Sequence, residues 1–211
     1  MTLRSQLQTV AIVTVVFLAS VFAFTSFTAA EHRTDISTQV VTSSTNGASM
    51  TSPSTIHLSV VGADPIRGQV ASALVAALDE RGVDAQIVTD LAPTYDHPVL
   101  LVAVTESQLA YNPISPSATV SLHFKYAADG NVTQFGQTHP GATFDATLLE
   151  KRLLNGDSIS VVLDDENTLF RSGDIHVTDA STGLLSWPGY RGHVLDTAGT
   201  AVIESLLTGG L

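Results

Sequence analysis

Between Arg4 and Glu31 the chain carries no charged residue, and Val10 to Ala30 reads VAIVTVVFLASVFAFTSFTAA, a run of 21 residues. At about 1.5 Å rise per residue, a helix of that length spans about 30 Å, the hydrocarbon thickness of a bilayer. Its few Ser and Thr side chains can bond back to carbonyls of their own helix. Arg4 and the α-amino group lie on the short N-terminal side. The positive-inside tendency therefore expects residues 1–8 in the cytoplasm, a membrane span over residues 9–30, and everything from Glu31 onward on the far side. A cleavable signal peptide is the alternative, with Thr28-Ala29-Ala30 as the cleavage site. Signal cores run about 7–15 residues, so the length of the run favours an uncleaved anchor.

Subtracting that segment and a linker from the 211 residues leaves roughly 155, the size of one ordinary domain. There is no cysteine, which excludes disulfides, zinc–thiolate sites and a lipid-carrying cysteine. Asp and Glu number 20 against 9 Lys and Arg, for a net charge of −11, and Lys125 and Lys151 are the only lysines. Such a surface repels nucleic-acid phosphates and anionic lipid heads. Self-repulsion at this charge is largely screened in molar salt, where the Debye length falls to about 3 Å. The composition resembles that of proteins from salt-loving archaea.

Residues 31–55 are dominated by Ser and Thr and contain no aromatic residue. This composition predicts a polar, flexible tether between the membrane and a domain over residues 56–211. Within that domain, the β-branched run Ile56 to Val61 predicts a strand. Asp64-Pro65 opens a helix whose apolar residues Ile66, Val70, Ala73, Leu74, Ala77 and Leu78 recur at helical spacing, and Gly82 ends it. Ala85 to Leu91 predicts a second strand. The continuous apolar run Val99 to Thr105 predicts a strand covered on both faces. Thr119 to Ala127 predicts another strand, with Val132 to Gly136 as its hairpin partner across Asp129-Gly130. Phe144 to Leu154 predicts a short helix and Ser158 to Leu163 a strand. Ile175 to Ala180 and Leu184 to Trp187 predict a hairpin around Ser181-Thr182-Gly183. Val194 to Leu206 predicts a terminal helix. Hairpins beside one strand–helix–strand unit define an α+β class, a single mixed-sheet sandwich.

The segment Asp179-Ala-Ser-Thr-Gly183-Leu-Leu-Ser-Trp187 carries a D-x-x-T-G-x-x-x-W pattern. With the element order before it, this resembles the envelope domains of the curli-secretion and penicillin-binding-protein-activator group, related in fold to the N-terminal domain of TolB. The resemblance implies a mixed α/β fold and an envelope accessory role. The chain departs from that group in lacking the lipid-carrying cysteine.

The residues give no catalytic signature. The seven histidines form no H-E-x-x-H or other i, i+4 pair, so no metal site and no cofactor is expected from spacing. Asp164-Asp165-Glu166 lacks the alternating ligands of a calcium loop and is expected to be a solvated turn. Gly62 to Gly68 lacks the lysine of a phosphate loop. Trp187, Tyr190, Arg191 and His193 in WPGYRGH are the candidate binding loop, since Trp, Tyr and Arg are enriched where proteins bind partners. The competing reading is an aromatic corner closing the sheet edge. Asn131-Val-Thr133 is a candidate N-glycosylation sequon. Three functions remain open: a non-enzymatic, membrane-anchored domain binding a protein or surface polymer; an exported hydrolase whose site gathers His57, His123, His176 and Asp174 from separate strands; and a structural spacer of the surface layer.

Overall fold

The structure, a computed structural model, describes residues 28–44, 53–139, 141–157 and 169–208. It contains strands β1 (Thr28–Glu31), β2 (Thr34–Ser44), β3 (Thr55–Val61), β4 (Asp84–Ile87), β5 (Val99–Ala110), β6 (Ser117–Ala127), β7 (Leu169–Ala180) and β8 (Thr182–Leu185). Helices α1 (Ile66–Asp79), α2 (Ala146–Leu154) and α3 (Trp187–Thr208) join them, with a 3₁₀ turn at Thr133–Gly136. The class is α+β. Six strands form one mixed sheet in the order β2-β7-β6-β5-β3-β4, and β1 pairs with β8 in a small second sheet. The β3–α1–β4 unit is parallel, β5 also runs parallel to β3, and the rest of the large sheet is antiparallel.

The apolar run of β5 is covered on both faces, as its composition requires. Leu100 and Val102 face α1 and α3, while Val99, Leu101 and Ala103 face α2, and all five are fully buried. Val120, Leu122, Phe124 and Tyr126 of β6 join the first core, with Leu74 and Leu78 of α1 and Val194 and Val202 of α3. The two helices approach so closely at Ala73 and Gly199 that a Cβ on Gly199 would lie 3.1 Å from the Ala73 backbone. Gly82 ends α1 in the left-handed conformation, φ 71°, as expected.

On the other face, α2 lays Leu149 and Leu153 against Phe135 and Phe170. Asp145 caps its N-terminus, accepting hydrogen bonds from the Thr147 and Leu148 backbone N–H groups at 2.9 and 3.2 Å. Asp145→Ala leaves those donors to solvent and is expected to cost about 1 kcal/mol. A shift of the denaturant midpoint at unchanged slope checks it.

Five sequence expectations are corrected, the last of them at residues 28–30. Thr34–Ser44, assigned by composition to the tether, is an eleven-residue edge strand paired along its whole length with β7. Its Thr, Ile and Val residues are good strand formers, and Val40 packs against the larger core, so Ser/Thr richness here marks an exposed edge strand. Val132 to Gly136 forms the 3₁₀ turn, and β6 pairs with β5 and β7 instead. β8 is not the hairpin partner of β7. It turns away to pair with β1 on one edge, while Gly183 and Leu185 N–H groups bond Ile114 and Pro113 carbonyls on the other. The WPGYRGH segment is the start of α3, not a loop.

Residues 28–30, the last of the predicted span, lie in β1. The rest of that span, the predicted strand Ser158 to Leu163 and the Asp164–Glu166 turn lie outside the described residues. Among the described residues, no helix is long and apolar enough to cross a membrane.

Candidate functional site

Ser186 and Pro188 explain why α3 begins where it does. The Gly189 N–H donates to Ser186 Oγ at 3.2 Å and the Tyr190 N–H to the Ser186 carbonyl at 2.9 Å, while Pro188 sits in the first turn, where its missing N–H costs nothing. Starting the helix at Trp187 sorts the four candidate residues onto two faces. Trp187 and Arg191, one turn apart, face α1, whereas Tyr190 and His193 face the end of β7.

The first face lines a groove of about 360 Å³ between α1 and α3, with Gln69, Ser72, Trp187, Arg191, Leu195 and Asp196 on its walls. The Arg191 guanidinium lies 5.7 Å from the centre of the Trp187 ring, and Tyr111 packs edge-on against the same ring at 5.3 Å. The Tyr111 hydroxyl donates to the Leu185 carbonyl at 2.7 Å, which holds the aromatic pair at the groove's end. Burial lowers the Arg191 pKa. The Nε of Arg191 and Oε1 of Gln69 are buried without hydrogen-bond partners among the described residues.

The second face meets a polar cluster centred on Asp179, the penultimate residue of β7. Its side chain is fully buried. Thr34, which opens β2 directly opposite it, donates to Oδ2 at 2.6 Å, and Ser181 donates to Oδ1 at 2.6 Å. His193 Nε2 stands 3.4 Å from Oδ2. His32, between β1 and β2, contacts Ser181 Oγ through Nδ1 at 2.8 Å and stacks on His193 with ring centres 3.7 Å apart. Burial pulls the His32 pKa down, and the neighbouring His193 adds to the effect. Burial alone would raise the Asp179 pKa, but the Ser181 and Thr34 hydroxyls, the Tyr190 phenol and His193 together hold it below the ordinary carboxylate value. The Tyr190 hydroxyl is buried beside this carboxylate without full hydrogen-bond geometry, and burial followed by the Asp179 charge raises its pKa strongly. Gly183, φ 134°, belongs to the same corner: a Cβ there would meet the Ala29 carbonyl oxygen at 2.6 Å, so only glycine lets β8 approach β1.

The residues of the hydrolase reading do not form one site. His123 Nδ1 contacts Asp174 Oδ1 at 2.8 Å, a cross-strand pair of a buried histidine and an exposed carboxylate, in which burial pulls the histidine pKa down against the opposing Asp174 hydrogen bond. His57 contacts Asp96 at 2.6 Å and is level with Val99 and therefore Ala127, four residues along β6 from His123. His176 contacts Ser121 Oγ at 2.9 Å, but the nearby Glu106 accepts from that serine at 3.3 Å instead of orienting the histidine. A nucleophile, base and orienting acid need the acid on the base, and this order lacks it. Asn131 is half-buried, its Oδ1 accepting from the Thr133 N–H at 3.0 Å in a local turn.

No protein-family model and no curated protein matches the chain. Among solved structures, the PelC dodecamer from Paraburkholderia phytofirmans aligns at 14% identity and a TM-score of 0.38, covering 81% of this chain and 98% of that one. A point variant of the same dodecamer aligns at 15% identity with the same TM-score. A minor lipoprotein from Acinetobacter baumannii aligns at 10% identity and a TM-score of 0.33, covering 74% and 94%. Likenesses this distant carry no weight for function, which rests on the two faces of α3.

Proposed function

We propose that the chain is a non-enzymatic, membrane-anchored envelope accessory domain that binds a protein or surface polymer through the groove between α1 and α3. The observation that carries this reading is the groove itself: an aromatic ring with an arginine over it, beside two buried polar atoms that have no partner among the described residues. Trp and Arg on the wall of a concave surface supply large contact area and directed hydrogen bonds, the combination found at energetic hot spots of interfaces. The membrane location rests on the uncharged run before Glu31. The acidic balance of the chain disfavours nucleic acid as the partner.

A photo-crosslinking residue at Ser72, exposed on the groove's rim, tests this in the native membrane. One discrete adduct is expected. Truncating a hot-spot residue costs about 2 kcal/mol or more, so Trp187→Ala and Arg191→Ala should each weaken capture about 30-fold. An absent adduct, or one that persists in both variants, refutes the groove as the binding surface.

A further inference from the structure

We propose that His32, Asp179 and His193 form a binding site for a divalent transition-metal ion of the zinc class. Each offers one ligand atom, and the three atoms lie within 4.8 Å of one another. The 3.4 Å between Asp179 Oδ2 and His193 Nε2 is long for a charge-assisted hydrogen bond, and the same nitrogen stands 3.3 Å from Thr34 Oγ1. It matches the edge of a tetrahedron whose ligands stand about 2.1 Å from a central ion, roughly 3.4 Å. Imidazole nitrogen with one carboxylate oxygen is a donor set that suits zinc better than calcium or magnesium, which take oxygen ligands. Three protein donors leave a further coordination position for water or for a donor from a binding partner.

The supporting groups are in place, and the His32 ring, stacked 3.7 Å from that of His193, must turn for both nitrogens to meet one ion at a tetrahedral angle. Ser181 Oγ touches His32 and donates to Asp179, and Thr34 donates to Asp179 Oδ2, so two of the three ligands are oriented from outside. The Tyr190 hydroxyl is fully buried beside the carboxylate, without full hydrogen-bond geometry to it. His193 also lines a second groove, of about 320 Å³, whose wall includes Asp196 and Glu204. That groove gives an ion a path from solvent past two carboxylates, which raise the local concentration of cations. This site lies on the opposite side of α3 from the Trp187 contact with Arg191, and it stands whether or not the first groove binds a partner.

Equilibrium dialysis of the untagged 211-residue chain against Zn²⁺, followed by metal analysis, tests the proposal. One zinc retained per chain is expected. His193→Asn and His32→Asn should each weaken retention at least tenfold. His176→Asn, an exposed histidine on the opposite face of the sheet, should retain zinc as the parent does. Both ligand histidines are half-exposed, and circular dichroism checks that their variants keep the fold. Cobalt(II) in place of zinc should give the visible absorption bands of a tetrahedral site in the parent and lose them in His193→Asn. No retained zinc, retention unchanged in both ligand variants, or equal loss in His176→Asn overturns the site.

Discussion

Asp179→Ala is expected to destabilise the domain by about 3–5 kcal/mol, the range for removing one member of a buried charged network. The carboxylate is fully buried and is the common acceptor for Thr34 and Ser181, with the Tyr190 hydroxyl beside it. Alanine leaves these hydroxyls buried without an acceptor, and each such group costs about 1–3 kcal/mol. The damage is also topological. Thr34 is the first residue of β2 and Ser181 the residue between β7 and β8, so one carboxylate ties the edge strand, the small sheet and the start of α3 to the end of β7. Asp179→Asn keeps the shape and one acceptor oxygen and should cost roughly half as much. Denaturant titrations in the presence of a chelator separate this structural role from metal binding. A loss below about 1 kcal/mol for the alanine variant would show that the hydroxyls find other partners.

How far this corner was legible in the sequence depends on separation along the chain. Strand β5 and helix α1 are readable because their signals are local: a continuous apolar run, or apolar residues at helical spacing closed by Gly82. The start of α3 was equally local and was misread. Ser186 followed by Pro188 is a helix-start signal, but Gly189 and Gly192 are poor helix formers and masked it. Moving the helix start to Trp187 sends Trp187 and Tyr190 to different sites. The Asp179 pattern was visible as a turn signature, yet its physical content was not. His32 and Ser181 are 149 residues apart in sequence, and no spacing rule reaches that far. The β2 edge strand was missed because Ser and Thr support either a tether or a solvent-facing strand. The deciding partner, the backbone of β7, is remote in the sequence.

The stability of the domain should rise between pH 8 and about 10.5 through one residue, Lys125. Its ammonium is 1% exposed on β6, donates to the Asp157 carbonyl at 2.7 Å and lies 5.4 Å from the centre of the Phe135 ring. Burial lowers its pKa from 10.5 to about 8, with Asp157 opposing and Arg152 reinforcing the drop. Below pH 8 the amine is charged in both folded and unfolded states, and the whole cost of burying the charge is present. Between the two values the folded chain has released the proton while the unfolded chain still holds it, so stability climbs with pH. Above the upper value both are neutral and the cost is gone. The difference corresponds to roughly 3 kcal/mol. Lys125→Met fills a similar volume without the charge and should stabilise the domain at pH 7 by about 1–3 kcal/mol. Subtracting variant from parent across pH 7 to 11 cancels the titrations they share, including Tyr126, whose pKa is raised to about 12 by burial. The remaining curve should rise through the window and then level off. A flat difference curve, or a methionine variant less stable at pH 7, would mean that the Asp157 carbonyl and the Phe135 ring already compensate the buried charge.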